Sequence, residues 1–111
     1  MYRLKTATGS FFSSKDGFFS SFVLPNVARP TNFEGKFNET TDEFSTSNAV
    51  LIYNDAADLT GTYGIQAGST VQRKKINLKL TNQSEKECQI MANLTPNITT
   101  DSQVTGGGTW S

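Results

Sequence analysis

Ile76-Asn77-Leu78-Lys79-Leu80 and Cys88-Gln89-Ile90-Met91-Ala92-Asn93-Leu94 decide the fold class of this chain. In the first stretch Ile76, Leu78 and Leu80 alternate with Asn77 and Lys79. In the second, Cys88, Ile90, Ala92 and Leu94 alternate with Gln89, Met91 and Asn93. A period of two places every apolar side chain on one face of a strand. The polar stretch Thr81-Asn82-Gln83-Ser84 lies between them, so the pair reads as a β-hairpin.

Working outward, the same pattern recurs in shorter pieces. Ala49-Val50-Leu51-Ile52-Tyr53 is a continuous apolar run between Asn48 and Asn54 and reads as a central strand. Val71 is out of phase with Ile76 by one residue, so a β-bulge is expected near Arg73-Lys74-Lys75. Residues 54–69 read as one short helical turn at 55–59 followed by loop. Residues 38–48 are almost wholly polar and read as a surface loop. Tyr2, Leu4 and Thr6 alternate with Arg3 and Lys5, and Phe33, Gly35 and Phe37 alternate with Glu34 and Lys36. Each reads as a two-faced strand. The run Gly17–Leu24 reads as a strand or aromatic-rich arm ending at Pro25, with a turning connection between Pro25 and Pro30. Residues 98–105 read as a weak last strand. Gly106-Gly107-Gly108 then reads as a hinge that releases a flexible tail, 106–111. No helical periodicity persists and no internal repeat is evident. The expectation is one all-β domain over 1–111, a small β-sandwich or jelly-roll-like barrel with extended arms.

The two halves differ in chemistry. All eight Phe precede residue 45, and residues 1–48 hold only four Val, Ile or Leu, against thirteen in 49–111. Residues 49–105 therefore read as an aliphatic β core, and 1–48 as a Phe-rich segment that is either core or else an arm or interface. The doublets Phe11-Phe12 and Phe18-Phe19 send side chains to both faces of a strand. One face of each doublet is exposed unless something covers it, and clustered exposed aromatics mark protein interfaces. Phe11, Phe12, Phe18, Phe19, Phe22 and Trp110 are the expected interface residues, Trp110 being a large apolar anchor beyond the glycine run.

The 111 residues carry 10 Lys plus Arg and 10 Asp plus Glu, for zero net charge. A neutral chain has no general field to collect nucleic acid. No stretch approaches membrane-spanning length, and no apolar run follows Met1, so neither a membrane span nor a signal peptide is expected. Cys88 alone fits a reducing compartment. The absence of histidine excludes imidazole catalysis and His-ligated metals within this sequence. No histidine is at hand to activate Cys88 or, barring a lysine base, a serine, so no enzyme, catalytic residue, cofactor or metal is expected.

The remaining candidates read as local structure. Gly61, Gly64 and Gly68 match no phosphate-binding pattern, and Thr109 rather than Gly-Lys-Ser/Thr follows Gly106–Gly108. Asp55 and Asp58 supply too few oxygens for Ca²⁺ and read as loop residues. Arg73, Lys74, Lys75 and Lys79 read as a solvated edge strand guarded by cations. Asn38, Asn82, Asn93 and Asn97 head Asn-X-Ser/Thr triplets and, with no leader, read as chance occurrences.

A neutral, histidine-free β chain of this length, with Ser, Thr and Asn making up nearly a third of it, resembles a tailed-phage virion accessory protein. More specifically it resembles the small capsid decoration, or staple, proteins of the short-tailed Salmonella phages of the epsilon type. The likeness is one of whole-chain length and character. It implies a jelly-roll-like domain, synthesised in the host cytoplasm and placed on the outer surface of the virion capsid. There it would bind the major capsid protein as a dimer or trimer at a symmetry axis and clamp neighbouring subunits. No nucleic acid or membrane partner is implied. The rival reading is a carbohydrate-binding β module of a tail spike or adhesin. In it Tyr53, Tyr63 and Trp110 stack on sugars, and Asp55 and Asp58 bind hydroxyls.

Overall fold

Eight antiparallel strands close into a barrel in the order β1-β2-β3-β8-β5-β6-β7-β4 in the computed structural model of the chain. Residues 4–15, 17–25, 28–39, 41, 43–94 and 101–111 are described. The strands are β1 (Lys5–Ser14), β2 (Gly17–Val23), β3 (Thr31–Phe37), β4 (Phe44–Tyr53), β5 (Gly61–Val71), β6 (Lys75–Thr81), β7 (Glu87–Asn93) and β8 (Ser102–Trp110). A 3-10 turn, Ala56–Asp58, joins β4 to β5. Of the two expected architectures, the closed barrel is the one formed. Closure leaves no sheet edge, so β6 is not an edge strand and its lysines guard none.

The topology repeats although the sequence does not. β1–β4 run in spatial order 4-1-2-3, and β5–β8 repeat it as 8-5-6-7. Each half is thus a Greek key. The halves meet at two seams, β3 against β8 and β4 against β7. Register irregularities fall in the equivalent pairs, β1 with β4 between Gly9 and Phe11, and β5 with β8 between Ile65 and Ser69. In β5 the slip leaves Gln66, Ala67 and Gly68 exposed. Ser69 turns inward, where its Oγ accepts the Lys79 backbone N–H at 2.9 Å.

The compositional division of the chain becomes a division of the barrel interior. β1, β2, β3 and the start of β4 line it with rings. Phe11 stacks on Phe18 at 5.3 Å and on Phe44 at 5.6 Å, and Phe18 meets Phe37 at 4.9 Å. Leu51, Val71, Ile76, Leu78, Leu80, Ile90 and Val104 fill the other side. The hairpin of β6 and β7 forms as its alternation requires, with Leu78 opposite Ile90. Asn82 makes its turn, its side-chain oxygen accepting from the Ser84 and Lys86 N–H groups at 2.9 Å each.

Several expectations are corrected. The glycine run is no hinge, and 106–111 is no tail. Gly106–Gly108 lie within β8, between β3 and β5, and Trp110 is buried in the core. A Cβ on Gly108 would stand 2.5 Å from the Glu34 carbonyl oxygen and 2.8 Å from the Phe33 ring. Glycine is there because a ring and a backbone occupy the side-chain space. The described part of 1–48 is not an arm: β1, β2, β3 and the first half of β4 come from it. The polar loop ends early, because Phe44 enters the aromatic core and starts β4. Residues 61–69 belong to β5 rather than to a loop. At 72–74 the chain makes a tight turn and not a bulge. Gln72 N–H donates to the Lys75 carbonyl at 2.8 Å, which puts Val71 directly opposite Ile76. The expected first and last strands are each displaced toward the C-terminus, to Lys5–Ser14 and Ser102–Trp110. Residues 1–3 and 98–100 lie outside the described residues.

Candidate functional site

The outward-facing side chains divide the barrel into two unlike walls. β3, β8, β5 and β6 are neighbours, and their strands place Glu34, Lys36, Gln103, Thr109, Thr62, Gln66, Lys75 and Lys79 in solvent. No large apolar side chain is exposed on them. β2, β1, β4 and β7 are the other contiguous half. They carry Phe12 at 53% exposure, Phe19 at 43%, Val23 at 65% and Met91 at 37%, with Val50 and Ile52 half-buried. Leu4, 64% exposed, lies at the rim of the same wall just before β1. Charge within those four strands is confined to their first residues, Lys5 of β1 and Glu87 of β7.

Pairing register arranges this wall into two rows. Near one end, Ser45, Phe12 and Phe19 stand side by side across β4, β1 and β2, and the row runs on into the polar wall as Glu34 of β3 and Thr109 of β8. Nearer the other end, Val23, Thr8, Val50 and Met91 stand side by side across β2, β1, β4 and β7. Of the eight Phe rings, six belong to the internal aromatic network. Phe12 and Phe19 make no ring contact with any described residue.

The expected interface residues thus separate cleanly. Phe12 and Phe19 face solvent. Phe11, Phe18, Phe22 and Trp110 point inward and are corrected to core, because strand alternation puts the other member of each doublet outside. The wall's second row, Val23, Val50 and Met91, was missed. Its residues are scattered over three strands, and only the register of the closed barrel aligns them.

The comparisons make no identification. Family models, curated proteins and solved structures contain no match to this chain.

The trio proposed for sugar stacking is buried: Tyr53, Tyr63 and Trp110 all face the interior. Tyr63 Oη donates to the Asp58 carbonyl at 2.6 Å, and the Asp55 side chain caps the 3-10 turn by accepting Ala57 N–H at 3.1 Å. Both aspartates serve that turn. Cys88 is buried in the barrel, and desolvation pushes its thiol up to about 12, helped by the charge of Asp58. It is a packing residue. Arg73 of the basic cluster pairs with Asp101 at 3.5 Å, and Lys74, Lys75 and Lys79 are solvated. Asn82 is occupied in its turn and Asn38 donates to Thr105 Oγ1 at 3.1 Å. Asn93 is exposed, and Asn97 lies outside the described residues. Among the described residues no three His, Cys, Asp or Glu gather as metal ligands.

Proposed function

We propose that this chain is a structural binding module that docks on a protein surface through the wall formed by β2, β1, β4 and β7. The observation that carries the proposal is the segregation of exposed apolar side chains on that wall, with charge only at its rim. Charge depletion with aromatic and Met enrichment is the composition of an interface centre. On a small neutral barrel such a face costs solubility unless a partner covers it. The resemblance supplies the partner: the major capsid protein on the outer surface of a phage head, bound by one or more copies at a symmetry axis. Clamping a shell requires rigid apolar contacts repeated by symmetry, which many copies then sum.

The test is co-sedimentation of the purified chain with shells that lack it. Saturable binding at a fixed ratio to the shell protein is expected, and its loss in Phe12→Ser/Phe19→Ser with the fold intact. A folded wild-type chain that does not sediment with shells overturns the capsid assignment.

A further inference from the structure

We infer that the Phe12–Phe19 end of the wall receives a cationic side chain of the partner, an arginine guanidinium, with Glu34 as its counter-charge. The inference rests on the docking reading above and specifies the chemistry of one contact within it. Three strands bring the parts together. Phe12 on β1 lies directly opposite Phe19 on β2, and Phe19 lies directly opposite Glu34 on β3. All three are exposed, and all three line one open groove of about 520 Å³ with Ser14, Lys36 and Thr109. Side chains directly opposite on one face stand about 5 Å apart at Cβ, within reach of a single guanidinium plane.

None of the three parts is engaged by a described residue. The two rings contact no other ring among the described residues. The Glu34 carboxylate makes no hydrogen bond or ion pair with a described residue; the one salt bridge among them is Arg73–Asp101. Aromatic faces attract cations through their quadrupole. A guanidinium suits the row better than an ammonium, because its plane stacks on a ring while its edge presents paired donors to a carboxylate. Lys36, two residues on, lines the same groove but makes no ion pair with Glu34, and Glu34 rather than Lys36 stands directly opposite Phe19. Lys36 sets a limit on affinity, since its charge opposes an incoming cation.

The test is an NMR titration of the full chain with acetyl-Gly-Arg-Gly-amide, using the neutral isostere acetyl-Gly-citrulline-Gly-amide as control. Arginine is expected to shift the Phe12, Phe19 and Glu34 amides, and citrulline is not. Glu34→Gln, on an exposed site that leaves the fold intact, is expected to weaken the arginine response roughly two- to fivefold. Lys36→Glu is expected to strengthen it. Equal responses to arginine and citrulline, or indifference to both variants, overturn the inference. So does a response of the same amides to glucose or galactose but not to arginine. Shell binding that is lost in Phe12→Ser/Phe19→Ser without arginine selectivity rejects the cation and keeps the wall. Arginine selectivity without shell binding keeps the cation and rejects the shell.

Discussion

Phe33 and Trp110 lie directly opposite one another across β3 and β8, with ring centroids 4.7 Å apart. The pair closes one of the two seams between the Greek keys. Trp110 also meets Phe22 at 6.4 Å and Tyr63 edge-on at 6.3 Å, so the second residue from the C-terminus ties β2, β3, β5 and β8 together.

Removing that tie should unfold the barrel rather than disarm its surface. Trp110→Ala is expected to cost about 3–5 kcal/mol, read from urea midpoints. Phe12→Ala and Phe19→Ala should stay within about 1 kcal/mol of the wild type. Trp110→Phe should cost less than Trp110→Ala, because the buried indole N–H has no acceptor among the described residues and its loss leaves nothing unpaired. A Trp110→Ala variant as stable as Phe12→Ala would contradict the seam.

Gly108 tests the same seam from the backbone. Gly108→Ala places a methyl group against the Glu34 carbonyl and the Phe33 ring. Overpacking of this kind costs about 1–3 kcal/mol. Gly64→Ala, where the nearest atoms are 3.9 Å away, is the matched control within a strand. Thermal melts of the two variants should separate clearly, with Gly108→Ala the lower.

Two carboxylates at the far end of the barrel link stability to pH. Glu39 accepts the Thr105 N–H at 2.7 Å and Asp101 accepts the Arg73 N–H at 2.8 Å. These backbone bonds, foremost, hold both carboxyls below their ordinary values. A depressed folded pKa stabilises the fold above the unfolded value and loses that contribution as pH falls through the folded one. Urea midpoints are therefore expected to be flat near neutrality and to decline below about pH 4. Glu39→Gln and Asp101→Asn should each reduce the decline, and an unchanged profile in the double variant would remove these groups from the acid response.

Cys88 should be silent in the native state. Its thiol is buried and pushed up to about 12, so almost no thiolate exists at pH 8. Labelling by a chromogenic disulfide is expected to proceed only at the rate of unfolding and to become immediate in denaturant. Rapid stoichiometric labelling of the folded chain would show that β7 opens.

The legible parts of this chain are those where side chains alternate in kind. Ile76–Leu80 and Cys88–Leu94 could be paired, faced and joined from residue order alone, because a strand with one apolar and one polar face has one way to sit on a core. The doublets Phe11-Phe12 and Phe18-Phe19 were legible only in part. Their order shows that one ring of each must point out, but two identical neighbours carry no mark of which. Gly106–Gly108 were misread because glycine has no side chain to show a burial preference. A run of it looks like a hinge until the Phe33 ring that fills the space above Gly108 is seen.

The amino-acid sequence by itself determined the all-β class, the β6–β7 hairpin and the split between an aromatic and an aliphatic half. These follow from local periodicity and composition. Only the tertiary structure decided that Lys5–Ser14 and Ser102–Trp110 are strands of a closed barrel, that Trp110 is core, and that Phe12, Phe19, Val23 and Met91 share one wall. The physical reason is that alternation tells two faces of a strand apart, while the register between strands distant in sequence selects the inner face and the residues that stand together on the outer one.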